Sequence, residues 1–290
     1  MKQLLYLFLY YIGVYKFIRF INRNRITIIS YHAPSVRVFR EHIKYLHKHY
    51  VFMSMDDLYE ILQSNRHPIK YGLVVTFDDG HKSNVDLLPI FKEYKIRPVI
   101  YCCSQVVASM HPFWWKMVDK NVVKEYKNMP NVDRLYYLKE KGFYTPNMTI
   151  SNAQALSRQD IDILKEYVTF GSHTRFHPIL TQCSQEEQKN EIVNSKYELE
   201  KLCGTPINHF AYPNGNYNDY SVKYVREAGY ATARTTDVGW NDTNSNMYTL
   251  KVLGISDDAN LTKLRFQISG LSMWIQYLLR GSLKGVKQSV

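Results

Sequence analysis

The chain has 290 residues, a net charge of +11 and an ordinary apolar content of 45%, which suit one large α/β domain or two small ones. The positive charge lies at the ends, because residues 1–25 and 259–290 each hold five Lys or Arg and no acid, which leaves +1 for residues 26–258. A nearly neutral body argues against the basic face of a nucleic-acid-binding fold, and the four cysteines show neither zinc-finger spacing nor a disulfide framework.

The first predicted element is an apolar and basic helix within residues 1–25. Its uncharged run, Leu4 to Tyr15, is shorter than the roughly 20 residues that a spanning helix needs, and it lacks a small-residue signal-peptidase site. We expect this helix to lie on or anchor in an anionic membrane surface; a helix packed on the domain's own surface is the alternative. Because the cations follow the apolar run, the positive-inside rule favours the cytoplasmic face.

Residues 26–258 alternate short apolar runs with helical patterns, which predicts βαβ units and a closed or nearly closed parallel (β/α) barrel. The predicted strands are 26–30, 71–77, 97–101, 167–171, 209–212 and 230–234. The predicted helices are 37–49, 56–64, 84–95, 157–166, 185–203 and 218–228. Residues 105–156 interrupt the alternation and are interpreted as an insertion on one face. Reactive side chains of such a barrel follow its strands, at the carboxyl ends.

A pair of carboxylates follows the predicted strand 71–77. Asp78 and Asp79 are adjacent in "TFDDG", and two like charges beside an apolar core need a compensating cation. One carboxylate can bind a metal ion while the other stays free as a base. An ordinary Asp-Asp-Gly turn is the alternative for this motif taken alone.

Two histidines follow the predicted strand 167–171. His173 and His177 are four residues apart in "GSHTRFHP", a spacing that allows both imidazoles to bind one metal ion. Two solvent-facing histidines are the alternative. Together with Asp79 they form a candidate facial site that leaves positions for water and substrate, and such a site can polarise a carbonyl and activate water.

The third candidate is the turn in "HFAYPNGNY" after the predicted strand 209–212. Pro213 and Gly215 predict a rigid turn, in which the backbone N–H of Asn214 is a candidate donor to a developing oxyanion. A β-turn without a catalytic role is the alternative.

In this order, "TFDDG", "SHTRFHP" and "FAYPNG" resemble the first three motifs of the polysaccharide deacetylase family, which is the NodB homology domain of carbohydrate esterase family 4. The resemblance covers residues 26–258 and implies a distorted (β/α) barrel that hydrolyses N-acetyl groups on amino sugars with a divalent metal ion, often Zn²⁺. It implies that Asp78 is the catalytic base and that Asp79, His173 and His177 bind the metal. The residues that it places at the substrate groove are Tyr212, Pro213, Asn214, Gly215 and, through a loose match of "TTDVGW" to the fourth motif, Asp237 and Trp240.

Two departures from the family pattern bear on the chemistry. Where many members have an arginine that contacts the base, this chain has Ala211, so Asp78 is expected to lack that orienting partner. No histidine follows His209, so the histidine acid of the fifth motif is missing. His32, after the first predicted strand, is the substitute candidate for the acid, and a structural histidine is its alternative.

Two further features leave their roles open. Trp114 and Trp115 in the insertion can form a sugar-stacking wall or can anchor the insertion in the core or in lipid. Residues 259–290 predict a basic amphipathic helix that lies on a membrane surface, binds a partner or covers the body's own core. Its apolar positions at helical spacing are Leu264, Ile268, Leu271, Ile275 and Leu278.

The function expected is that of a hydrolase of non-peptide carbon–nitrogen bonds. It would remove an N-acetyl or related N-acyl group from an amino sugar of a polysaccharide or lipid-linked glycan precursor, in the synthesis of envelope polysaccharide. The expected partners are that glycan and a membrane surface, without nucleic acid. Two alternatives are a glycan-binding protein that keeps the barrel without turnover, and a membrane-associated partner protein whose terminal helices carry the function.

Overall fold

The fold is a ring of parallel strands surrounded by helices, and the computed structural model describes residues 2–64, 66–145 and 147–271. The strands are β1 Thr27–Tyr31, β2 Val51–Phe52, β3 Gly72–Phe77, β4 Val99–Cys102, β5 Thr169–Ser172, β6 His209–Ala211, β7 Thr232–Val238 and β8 Leu250–Gly254. β1 pairs in parallel with β8 on one side and with β3 on the other, which closes a ring of seven strands. β2 pairs in parallel with the first two residues of β3.

Helices before, between and after these strands lie outside the barrel. They are α1 Lys2–Tyr11, α2 Val14–Ile21, α3 Val36–His47, α4 Met55–Ser64, α5 Leu88–Glu93, α6 Lys120–Asn128, α7 Asn131–Glu140, α8 Arg158–Leu164, α9 Gln185–Cys203, α10 Asp219–Glu227 and α11 Leu261–Ile268. Local chemistry explains the ends of the longest one. Ser184 and Glu187 form a capping box before α9, and Gly204 follows it at φ 69°.

The predicted closed (β/α) barrel is confirmed, and its six predicted strands all form. β2 and β8 were not predicted, because β2 has two residues and the exposed Lys251 interrupts the apolar run of β8. The helix predicted over 84–95 begins instead as a 3₁₀ turn, Lys82–Leu87, before α5. Pro89 lies in the first turn of α5, where its missing N–H is tolerated, so a new helix begins there.

The segment between β4 and α8, residues 103–157, builds a small apolar core of its own. Its buried side chains are Trp114, Val118, Tyr126, Leu138 and Tyr144. Trp114 is only 1% exposed, and its indole Nε1 donates a hydrogen bond to the His177 carbonyl at 3.1 Å. Trp114 therefore anchors this segment to the barrel, next to one of the predicted metal ligands.

The chain begins with two helices, because Gly13, at φ 80°, separates α1 from α2. Their inner side packs on the body: the Tyr6 ring stacks on Phe266 of α11 at 4.1 Å, and Tyr15 and Ile18 are buried. In the part of the chain that the structure describes, no single helix has the length and apolarity to cross a bilayer. The pair 3–11 and 14–21, bent by 67°, meets those two criteria only when taken together.

The outer side of α1 and α2, together with Ile12 between them, forms an exposed apolar surface, here called the amino-terminal surface. It consists of Leu4, Leu5, Phe8, Tyr11, Ile12, Phe17, Phe20 and Ile21. At the other end of the chain, α11 buries Leu264 and Ile268 against the barrel. The predicted positions Ile275 and Leu278 lie outside the described residues.

Candidate active site and metal centre

The sequence motifs converge at the carboxyl ends of the barrel strands. Asp78 and Asp79 follow β3, His173 follows β5, and the 3₁₀ turn Pro213–Gly215 follows β6. Parallel strands in a closed ring bring these ends to one face. The predicted site residues therefore follow strand ends on the same face of the barrel.

Asp79, His173 and His177 form a compact, buried triad. Oδ1 of Asp79 lies 3.6 Å from Nε2 of His173 and 3.6 Å from Nε2 of His177, and one ligand atom from each residue lies within 4.8 Å of the others. His173 uses its second nitrogen, Nδ1, in a 2.7 Å contact with the Ala211 carbonyl. This contact leaves Nε2 free to face Asp79.

Burial and charge set the protonation states of the triad. Burial alone would raise the pKa of Asp79, but the contact with His81 and the neighbouring imidazoles hold that pKa well below its usual range. Burial lowers the pKa of both His173 and His177. The three groups thus present an ionised carboxylate and two neutral imidazoles, the forms that bind metal ions.

These donors fit a divalent ion. Ligands at about 2.1 Å from a tetrahedral zinc lie about 3.4 Å from one another, close to the 3.6 Å separations seen here. Oδ1 of Asp79 is buried without a hydrogen-bond partner within the described residues, although such atoms are rarely left unpaired. The three residues can therefore hold a metal ion, with nitrogen and oxygen ligands that suit zinc.

Asp78 has an arginine partner, which corrects the expectation drawn from Ala211. The guanidinium of Arg234, in β7, forms an ion pair with Oδ1 of Asp78. Burial would lower the pKa of Arg234, but Asp78 raises it, and both side chains are almost fully buried. The arginine thus comes from β7, the strand beside β6, in which Ala211 lies.

Two other predicted catalytic groups follow the carboxyl ends of strands. His32 follows β1, donates its backbone N–H to Asp257 at 3.0 Å and lies close enough to lower the pKa of Asp79. Asn214 has φ 54° and ψ 12° in the turn after β6. This left-handed conformation is rare for a residue other than glycine, and such strain often marks functional sites.

The structure does not bring every predicted groove residue to the site. Tyr212 is buried and donates its hydroxyl to the Tyr248 carbonyl at 3.0 Å, and Pro213 is buried at the start of the turn. Trp240 lies away from the triad, where its ring packs against Gly270 and lines a small cavity beside α2. Its place follows from the return of the chain after β7 towards Ile26, which pairs with residue 241.

Comparison with known proteins identifies the family. The family model for polysaccharide deacetylases matches residues 65–233, more than half of the chain. The chain belongs to the polysaccharide deacetylase family. Its members are hydrolases that act on carbon–nitrogen bonds, and this chain is an enzyme of that class.

Individual relatives of this deacetylase are distant. YxkH of Bacillus subtilis is 22% identical over 242 residues, which are 80% of this chain and 72% of that protein. The peptidoglycan-N-acetylglucosamine deacetylase of Bacillus cereus is 32% identical over 96 residues, 33% of this chain and 43% of that enzyme. The Streptococcus pyogenes deacetylase PplD, solved with acetate, shares the fold, with a TM-score of 0.63 at 21% identity over 84% of this chain and 98% of that one.

Three side chains beside the deacetylase site were not found from the sequence: His81, Lys116 and Lys127. His81 contacts Asp79 at 3.2 Å. Trp115, for which the sequence left a stacking wall or an anchor open, has its ring 4.4 Å from that of His177. Lys116 and Lys127, from the segment 103–157, both lie within electrostatic reach of Asp79. Tertiary contacts alone bring this segment to the site, so its sequence carries no signal of these roles. Arg234 did leave a signal in the sequence: it is a cation at the end of the predicted buried strand "YATAR", and a buried cation needs a charged partner.

Proposed function

We propose that this polysaccharide deacetylase is metal-dependent, with zinc as the favoured ion, and removes an N-acetyl or related N-acyl group from an amino sugar. One observation carries the proposal: Oδ1 of Asp79, which has no hydrogen-bond partner among the described residues, faces two neutral imidazoles at separations that suit a tetrahedral ion. A second carboxylate, Asp78, stands beside it. This pairing of a ligand carboxylate with a base suits amide hydrolysis.

Each residue then has a defined role. Arg234 orients Asp78 through their buried ion pair, so Asp78 can accept the proton of the attacking water. An ion held by the triad would polarise the acyl carbonyl and activate water. The backbone N–H of Asn214 donates to the developing oxyanion, and His32 protonates the departing amine. Both of these assignments follow from the positions of the two residues at the carboxyl ends of β6 and β1.

Acyl release and zinc content, measured on the same samples, test this proposal. The substrate is an oligomer of N-acetylglucosamine, and the readout is free acetate. Asp78→Asn should keep its zinc and lose activity by about 10²–10⁴-fold, the contribution typical of a general base. Asp79→Asn should lose both zinc and activity. An Asp78→Asn variant as active as the wild type would refute the assignment, and zinc-loaded wild type that binds the glycan without releasing acetate would favour the alternative binding protein.

We also propose that the enzyme works at an anionic membrane surface, through the amino-terminal surface. This surface is apolar, and residues 2–25 carry five cations and no acid. Each cation near an anionic bilayer contributes about 1 kcal/mol. The inner side of α1 and α2 is occupied by the body through Tyr6, Tyr15 and Ile18. Helices fixed in this way support a protein that lies on the membrane rather than one that spans it.

The position of α2 indicates how the deacetylase site would be oriented relative to the membrane surface. Arg23, just after α2, accepts a hydrogen bond from the backbone of Tyr71, the residue before β3. The end of α2 is thus fastened to the amino ends of the strands, whereas the triad lies at their carboxyl ends. The site would therefore point away from the lipid headgroups. This geometry favours a polysaccharide, or a lipid-linked precursor whose reacting sugar stands off from the bilayer, in the synthesis of envelope polysaccharide.

Vesicle sedimentation tests the membrane proposal. The full chain should sediment at low salt with vesicles of phosphatidylcholine and phosphatidylserine, and only weakly with phosphatidylcholine alone. The double variant Phe8→Ser/Phe17→Ser should lose this binding, whereas Tyr197→Ser, at an equally exposed site on α9, should not. A wild-type chain that stays in the supernatant with both vesicles would refute the proposal. A reporter enzyme that functions only outside the cytoplasm, fused after residue 258, should stay inactive if the body faces the cytoplasm.

A further inference from the structure

The second carboxylate oxygen of Asp79 belongs to a chain of three side chains. Oδ2 of Asp79 lies 3.2 Å from Nε2 of His81, and Nδ1 of the same imidazole lies 3.2 Å from Nζ of Lys116. His81 is 7% exposed. Neither His81 nor Lys116 belongs to the triad, and their contacts reach Asp79 through Oδ2, the oxygen that the triad does not use.

The chemistry of Lys116 sets the direction of the hydrogen bonds between these three side chains. An ammonium group has only protons to give, so Nδ1 of His81 must accept. The remaining imidazole proton is then on Nε2, where it points at Asp79. We infer that Lys116 and His81 are positioning residues that hold the Asp79 carboxylate with Oδ1 turned toward the metal ion. The inference rests on the proposed metal dependence.

The backbone around Asp79 is already constrained, which leaves the carboxylate as the mobile part. Asp79 has φ 70° and Gly80 has φ 73°. The Gly80 carbonyl accepts a hydrogen bond from Leu156 at 2.9 Å, and a Cβ on Gly80 would lie 2.9 Å from the sulfur of Cys102. With the main chain fixed, rotation of the carboxylate about χ2 is the freedom that His81 removes.

Packing holds the two supporting side chains in place. The His81 ring lies 4.9 Å from the ring of Phe113, and the ammonium of Lys116 lies 5.0 Å from the same ring. Phe113 and Lys116 both belong to the segment 103–157. This segment therefore contributes to the metal centre without supplying a ligand.

Zinc affinity of the full chain, measured by competition with a chromophoric chelator, tests the role of His81. His81→Ala should raise the zinc Kd about 10–100-fold, as loss of the groups that orient metal ligands usually does. His81→Gln should restore most of the affinity, because its amide nitrogen can take the place of Nε2; the shorter His81→Asn should not. His67→Ala, at an exposed site, is the control, and near-ultraviolet circular dichroism confirms the fold of each variant.

Lys116→Met separates the positioning role from a simple charge effect, because the two predict opposite changes in zinc affinity. Removal of a nearby cation should tighten zinc binding if Lys116 acts only by repulsion. The positioning role predicts the reverse: Lys116→Met weakens zinc binding in the wild type and has no further effect in His81→Gln, which lacks Nδ1. Lys124→Met, on the exposed side of α6, is the matched control.

The outcomes separate this inference from the proposed function. An unchanged Kd in His81→Ala, or tighter zinc binding in Lys116→Met, would overturn the positioning role while the metal centre stands. A wild-type chain that binds no zinc in the same titration would instead overturn the proposed metal dependence, and the inference with it.

Discussion

The buried ion pair between Asp78 and Arg234 leads to a quantitative prediction about stability. The side chains are 8% and 1% exposed, respectively. Arg234→Met keeps most of the side-chain volume but leaves the carboxylate buried without its cation. Breaking a buried pair in this way costs about 3–5 kcal/mol, so the variant should lose that much free energy of unfolding.

A double-mutant cycle isolates the pair. Asp78→Asn alone leaves the guanidinium unpaired and should also be destabilising, whereas the double variant has no buried charge to compensate. The double variant should therefore be more stable than the sum of the two single effects predicts, by about 2–3 kcal/mol. The exposed pair Arg158–Asp162, at 3.1 Å on α8, is the matched control, because solvent screening should leave the effects in its cycle close to additive.

Urea unfolding followed by circular dichroism measures these energies, with a chelator present so that a bound ion does not contribute. Acetate release from the same variants should show that Arg234→Met also loses activity, since Asp78 is no longer oriented. A loss of less than about 1 kcal/mol in Arg234→Met, or strictly additive effects in the cycle, would refute the claim that the two charges depend on each other.

Three further predictions concern other parts of the molecule. Burial lowers the pKa of His42, so the unfolded chain takes up the proton first and stability should fall as the pH drops below about 6.5; a His42→Gln variant should show a smaller fall in urea midpoint between pH 7.5 and 5.5, and an equal fall would contradict this. Gly215→Ala should reduce kcat and should lower the stability by more than the about 1–2 kcal/mol that a left-handed backbone costs a residue with a Cβ, because that Cβ would overlap Thr236. Gly142→Ala, at φ 66° with open space around it, should show only the backbone cost in the same thermal melts. Leu138→Ala should cost about 2–5 kcal/mol, since Leu138 is fully buried in the core of the segment 103–157, and an unchanged urea midpoint would show that this core does not support the fold.

The sequence predicted the barrel and the three triad residues from local patterns. Apolar runs that end in "TFDDG" and "GSHTRFHP" place the reactive residues after strands, and parallel strands bring their carboxyl ends together. The capping box before α9 and the glycine after it mark a helix whose bounds, 185–203, were predicted. Such signals lie within a few residues of the feature that they specify.

Contacts between distant segments could not be predicted in this way. Arg234 replaces the arginine expected at position 211, because β6 and β7 are neighbours in register and Ala211 pairs with Arg234. Trp240 was assigned to the groove from a loose motif, yet the chain turns back after β7 and carries it to the side of α2.

The amino-acid sequence by itself determined the alternation of six strands with six helices, the carboxylate pair with its two histidines, and the basic apolar ends, since each is written in nearby residues. Closure of the ring decided which of those residues meet. It brought Arg234 to Asp78 and laid the segment 103–157 against the triad, which placed Lys116 behind His81. The physical reason is that an ion pair or a hydrogen bond depends on distance in space, and only the packed barrel converts a separation of 156 residues between Asp78 and Arg234 into contact.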